Sequence, residues 1–486
     1  MSLLKNLEEK YMHLIAVSDP NLRKYRNAGK EVGLTFYSSL FSSALLLAFY
    51  LAFGNIDLMT ALLVLALPLL LIFKILNTAF SIQSLRKNVE QEFAFLLIAS
   101  ASVSKTGLEL SEYLKFSANS KAMKGIKAIG ERFVQLSELF GNNEAFHYIS
   151  NILGGRARQL LNEYASSLSS GTALYMLRDR ANDMVKNAQV ELEKSIQSRI
   201  MLALLLIALL GMAPSMITGF FALQSFSLTE GSSNAPSNST YAFAWGALAF
   251  LPLLLSMIPD YPLAMRVIFR KDVERALNLI AFSAGSLLFL PAMILAINGN
   301  AQEFRRLVFE LSLIALILSL PGFISTLRAV FASSVDEIAE DMLNHVRVWR
   351  SLLLYRGETM ERERRKSVKP WIVVFMDEAR HFFKSAGDCD PNIFQLLVDF
   401  IHESERSLKK FTQVLAIVFG TSLFSPIMSA MMLNLGGTSF PSQIAIAYVS
   451  ALAYGIVAEK LALGKLKSAL IPSITALAFA LSAPIH

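Results

Sequence analysis

A chain of 486 residues that is 54% hydrophobic and only 17% charged, with a mean hydropathy of +0.47, is excluded from the soluble multidomain class that its length alone would predict and reads as a polytopic membrane protein. The formal charge of +7 belongs to basic loops facing anionic lipid, not to a nucleic-acid surface. One cysteine, Cys389, excludes an intrachain disulfide and a cysteine-based metal cluster.

Residues 1–33 are polar and charged, unlike a cleaved signal peptide. They are expected to form a cytoplasmic segment ahead of an uncleaved first span. A hydrocarbon core of about 30 Å needs roughly 20 apolar helical residues. Nine stretches meet or approach that: about 34–53, 56–80, 200–223, 241–258, 277–297, 307–324, 412–433, 443–458 and 468–485. The fourth is interrupted by Pro252 and the eighth is short.

Loop charges set the orientation. Lys5, Lys10, Arg23, Lys24, Arg26 and Lys30 precede the first span. Arg266, Arg270, Lys271 and Arg275 occupy the 259–276 loop, and Lys460, Lys465 and Lys467 the 459–467 loop. The alternate loops 54–55, 224–240 and 434–442 carry no Lys or Arg. The pattern predicts a cell-membrane protein with its N-terminus inside and C-terminus outside. Arg305 and Arg306 are discordant, falling on the outer side. The outer loop 224–240 contains Asn238-Ser239-Thr240, an acceptor pattern for N-glycosylation at Asn238.

Two long polar segments then lie inside. The first, 81–199, opens with the apolar run Phe93–Ala99, too short to span and bracketed by Glu90, Glu92 and Lys105. It suits a buried helix face, ended by Gly107 in the left-handed conformation. "LELSEYLKFSAN" restarts a helical pattern, and "LLNEYASSLSSGTALYMLRDRAND" repeats the corner around Gly171. Two helix–glycine–helix hairpins imply a compact helical bundle. The second segment, 325–411, is a shorter, degenerate copy: Glu193 aligns with Glu405, Pro214 with Pro426, Glu90 with Glu340 and Gly107 with Gly357. No second glycine hairpin is evident in it.

The domain plan is therefore 1–33 cytoplasmic, a 34–80 transmembrane hairpin, the 81–199 bundle, four spans over 200–324, the 325–411 bundle and three spans over 412–486. The fold class is all-α and polytopic, with about nine transmembrane helices and two cytoplasmic bundles. No phosphate loop occurs, because Gly464-Lys465 lacks the upstream glycine and the following hydroxyl residue. Asp388 in "SAGDCD" reads as a loop or helix cap rather than a peptidase aspartate, and Asp377 with His381 as a local pair rather than half a metal site. No catalytic residue, metal or cofactor is expected, and no midplane charge suggests ion coupling.

The run "FAFLLIASASVSKTGLELSEYL", the second corner "SSGTALYML" and the proline-bearing span after them resemble the type II secretion F domain of type IV filament platform proteins. The nine-span plan resembles the archaeal branch, which serves archaella or adhesive pili. The resemblance implies a non-enzymatic platform, a homodimer in the lipid bilayer, that docks a hexameric secretion ATPase and couples its motion to assembly of pilin-like filament subunits. Contact residues would be basic. Arg362, Arg364, Arg365 and Lys366 in "ERERRKSVKP", expected far from any span, form one candidate strip, and Lys121, Lys124, Lys127 and Arg132 another. A solvated helix face is the plainer reading of both. A permease or channel with regulatory inserts, or a membrane-embedded enzyme, would be the rival.

Overall fold

The structure, a computed structural model, describes residues 88–153, 155–206, 261–298, 301–332, 334–349, 352, 355–435, 441–464 and 468–482. The expected spans at 34–53, 56–80 and 241–258, most of 200–223, and the loop 224–240 with Asn238 lie outside them. Among the described residues the chain is mostly helical, at 87%. Among the described residues three stretches, Lys271–Ala292, Gln302–Val348 and Pro391–Met431, are long and apolar enough to cross a membrane.

Two compact units are formed. Among the described residues, unit one comprises 88–188, 342–356 and 375–397, so it draws on both polar segments, where the sequence suggested a bundle for each. Its centre is helix α1, 88–102. Phe93 to Val103 are buried without a polar face. A helix apolar all round belongs inside a bundle, each large side chain contributing roughly 1.5–3 kcal/mol by burial. Around α1 run α2 (Leu110–Ser117), α3 (Lys124–Phe140), α4 (Asn142–Ile152), α5 (Gly155–Ser170) and the start of α6 (Ala173–Leu206). Buried Glu92 accepts the Ile126 N–H at 2.8 Å, fixing the first turn of α3 on α1. Gly130 lets α3 approach α2, since a Cβ there would lie 2.6 Å from the Leu114 carbonyl oxygen.

Both expected corners are present. Gly107 has φ 82° and Gly171 φ 71°. At the second, Gly171 N–H donates to Leu168 O and Thr172 N–H to Ser167 O, a paired closure that satisfies the last carbonyls of α5. A third corner corrects the reading of the second copy: Gly387, φ 85°, follows α11 (Trp371–Ala386) and precedes α12 (Pro391–Leu435). Pro391 opens α12 where its missing N–H costs nothing.

Unit two comprises 189–341, 357–374 and 398–482 among the described residues. A short strand β1 (Val267–Phe269) leads into α7 (Lys271–Asn298) and α8 (Ala301–Val330). Helix α9 (Ser334–Trp349) follows, its residues 334–341 belonging to this unit and the rest to unit one, and α10 (Glu358–Arg365) precedes β2 (Val368–Pro370). β2 pairs antiparallel with β1, Ile268 opposite Lys369. The unit also holds α13 (Pro441–Leu463) and α14 (Leu470–Ser482), which are largely buried. Phe309, Leu313, Ile317, Leu320 and Ile324 form an exposed stripe along α8, and Leu279, Phe282, Phe289 and Leu290 are exposed on α7. Such continuous exposed apolar faces are suited to lipid, not water.

The helix ends of unit two sort into two sets. At one end Arg199 donates to Leu461 O at 3.2 Å and lies 4.5 Å from the Tyr261 ring centre. There the Tyr261 hydroxyl donates to Ala462 O and its ring meets Phe411 edge-on. At the other end Arg305 Nε donates to Ala480 O at 2.9 Å, closing the last turn of α14. The arginine that was discordant with the loop-charge pattern therefore has a structural task.

Candidate functional site

The three glycine corners of unit one meet at one carboxylate. Asp390, whose side chain is 0% exposed, lies 2.9 Å from Lys105 Nζ and 3.0 Å from the Arg178 guanidinium. Lys105 stands two residues before Gly107, Arg178 seven after Gly171, and Asp390 three after Gly387. The Asp390 N–H donates to Ser102 O at 2.7 Å, and its Oδ1 accepts the Asn392 N–H at 3.1 Å as the cap of α12. A charge buried this fully persists only if paired and hydrogen-bonded, and Asp390 is both. The cations keep 53% and 39% of their side-chain exposure, so the arrangement is an acid set into the bundle and closed from outside by two basic side chains. Next to it, burial pushes the Cys389 thiol up, with Asp388 and Asp390 adding to the effect. A buried, protonated thiol is inert.

A second carboxylate fixes the backbone beneath the first basic strip. Glu378 accepts the Lys121 N–H at 2.6 Å, the Ala122 N–H at 3.2 Å and the Ser120 hydroxyl at 2.5 Å. Lys121 and Lys124 are exposed just beyond this anchor, and Lys127 and Arg132 are half-buried. Lys127 reaches Glu131 at 3.9 Å, and burial lowers the Arg132 pKa. The strip is therefore a rigidly mounted pair of lysines followed by two partly engaged cations.

The other basic strip occupies α10. Arg362, Arg364 and Arg365 are exposed, Arg365 pairs with Glu361 at 3.5 Å and Lys366 with buried Glu363. This helix lies in unit two, and its C-terminus runs directly into β2. The expectation that 361–369 stands far from the spans is corrected by the strand pair: Arg270 N–H donates to Ser367 O at 3.0 Å and Trp371 N–H to Arg266 O at 2.8 Å. Both basic strips exist as surfaces, in different units.

Asp388 is a local cap, its Oδ1 accepting the Cys389 N–H at 2.7 Å. Asp377 and His381 approach to 3.8 Å. Sequence reasoning missed Asp390, Glu378 and Gly387; the only signal was Asp-Pro at the start of α12, a helix-opening pair. Comparison with protein families, curated proteins and solved structures returns no match.

Proposed function

We propose that this chain is the membrane platform of a type IV filament or type II secretion-like machine, at the cell membrane with its N-terminus inside and its C-terminus outside. It docks an assembly ATPase through unit one and transmits the motor's motion to filament subunits. The observation that carries the reading is the repeated corner: glycines at φ 82°, 71° and 85° turn the chain between helices, and Asp390 joins all three. The resemblance rested on two of those corners. The pairing of β1 with β2 supports the orientation, because it brings the 259–276 loop to the 325–411 segment, and loop charge assigns both inside. Arg199, Tyr261, Phe411 and Ala462 support it in the same way, since each belongs to a segment assigned inside. Arg305 and Ala480, which meet at the other end, belong to a loop assigned outside and to the last turns of the ninth expected span, whose C-terminal end is assigned outside.

A permease reading finds less support. The cavity of about 300 Å³ among α7, α13 and α14 is lined by apolar side chains apart from Asn278 and Ser468, a lining ill-suited to a solute ion, and Ser468 is occupied in donating to the buried Glu459 carboxylate at 2.7 Å.

The rigid lysines of unit one are the ATPase contact in this reading. Lys121→Glu with Lys124→Glu should reduce recovery of a co-expressed assembly ATPase with the full chain, most clearly at low salt. Recovery equal to the parent's and indifferent to salt would remove this strip from the docking surface. Failure of any motor ATPase to co-purify with the parent chain would remove the platform reading.

A further inference from the structure

We propose that α10 and the β1–β2 ribbon form a basic collar that binds the anionic headgroups of the membrane lipids around α7 and α8. The proposal rests on the membrane reading of unit two and is independent of the platform reading.

Position is the first argument. The exposed apolar face of α7 begins at Leu279 and Phe282. At 1.5 Å per residue, Arg275 precedes it by about 6 Å and Lys271 by about 12 Å. On α8 the last exposed apolar residue is Ile324, and Arg328, also exposed, follows one turn later. The headgroup zone on each side of a bilayer is roughly 5–8 Å thick, and Lys and Arg stems reach several ångströms further toward it. Lys271, Arg275 and Arg328 therefore stand at headgroup level.

The strand pair brings α10 to the same level. Ser367 O accepts the Arg270 N–H, so Arg365 is two residues of chain, at most about 7 Å, from a backbone already at the start of α7. Both strands also pack on α8. The sequence alone left these charges in a remote polar segment; the ribbon carries them to the edge of the apolar belt.

Charge is the second argument. Asp272 is engaged with Arg270 at 3.2 Å, Glu361 with Arg365 and Glu363 with Lys366. These three acids face the collar's own cations, and although Glu274 and Glu358 lie in the same elements, Lys271, Arg275, Arg328 and Arg362 extend its exposed basic rim. Guanidinium groups bind phosphate through paired N–H donors, which suits phosphodiester headgroups.

The test uses the full chain in a mild uncharged detergent, titrated with short-chain phosphatidylglycerol and followed by its unfolding midpoint. Arg362→Gln, Arg364→Gln and Arg365→Gln together should weaken the apparent affinity roughly 100-fold, about 1 kcal/mol for each basic residue at an anionic surface. The matching triple Lys variant, which keeps charge, should bind within a few-fold of the parent. Short-chain phosphatidylcholine and inorganic phosphate, tested at the same concentrations, should give little shift. Equal affinity of the Gln variant and the parent overturns the proposal, as does a phosphatidylcholine or phosphate response matching that of phosphatidylglycerol. Loss of ATPase recovery from the Gln variant with its lipid affinity intact would also overturn it, assigning α10 to a protein partner.

Discussion

Replacing Asp390 by asparagine keeps the shape and the cap oxygen for the Asn392 N–H but removes the charge between Lys105 and Arg178. Charge-assisted hydrogen bonds net about 1.5–3 kcal/mol when buried. Here solvent reaches both cations, and about 1 kcal/mol per pair is the appropriate discounted figure. Asp390→Asn should therefore cost about 2 kcal/mol. Lys105→Ala or Arg178→Ala alone should cost about 1 kcal/mol, because the other cation still neutralises the acid. Removing both leaves a carboxylate with no exposed surface and no counter-charge, a situation worth about 3–5 kcal/mol. Cys389 reads the result directly, being the only cysteine, buried and adjacent to Asp390. If reclosing outpaces labelling, its rate of reaction with a thiol reagent, normalised to the denatured chain, reports the free energy of local opening. At 1.4 kcal/mol per decade, labelling should accelerate roughly 30-fold in Asp390→Asn, about 5-fold in each single cation variant, and more than 100-fold in the double variant. A double variant that labels at only the product of the two single effects, or an Asp390→Asn protein that labels at the parent rate, would refute the shared clamp.

Further outcomes follow from the same geometry. Gly107→Ala, Gly171→Ala and Gly387→Ala should each cost on the order of 1 kcal/mol from backbone strain alone, because a Cβ at these sites meets nothing within 4 Å. Gly130→Ala should cost more, since its Cβ would press on the Leu114 carbonyl; equilibrium melts of the four variants rank them, and a Gly130 variant no worse than the corner variants removes the close-approach argument. Cysteine at Ser232 should react with an impermeant thiol reagent in intact cells, and cysteine at exposed Ser169 should not. Ser120, an otherwise natural inner probe, is buried on Glu378 and would be silent for the wrong reason. Labelling at Ser169, or none at Ser232, ends the proposed orientation.

What could be read in the sequence follows from the range of the forces involved. The corners at Gly107 and Gly171 were legible because a glycine among small residues between two helical patterns is a local signal. Lengths and apolar faces of α7 and α8 were legible from hydropathy for the same reason. Gly387 was not, because "SAGDCDPN" shares no apolar pattern with "SSGTALYM". The β1–β2 ribbon was not, because three residues are too few to show alternation and Pro370 argues against a strand. Neither carboxylate was legible: Glu378 reaches Ser120 across 258 positions and Asp390 reaches Arg178 across 212, and no pattern along one chain ranks charge pairs at such separations.

The clamp also bears on the proposed repeat, in which a second copy of one helical plan would have to differ far in sequence from the first. Counting from each corner, the position of Lys105 before Gly107 corresponds to Tyr355 before Gly357. The position of Asp390 after Gly387 corresponds to Leu174 after Gly171, and that of Arg178 corresponds to Phe394. Three charged sites in one arrangement are thus two aromatics and a leucine in the other, with Tyr355 and Phe394 buried. An acid in the Leu174 position would lack the cations that make burial tolerable, so it could not persist there. The first copy also inserts α3 and α4 between its short helix α2 and the sixteen-residue α5, whereas only residues 366–370 separate α10 from the sixteen-residue α11. In that reading the glycine turns and helix order are the features to be kept, because they set backbone direction. The side chains at the matched positions differ, charged in one set and aromatic or aliphatic in the other, which removes the periodic similarity by which a repeat is recognised.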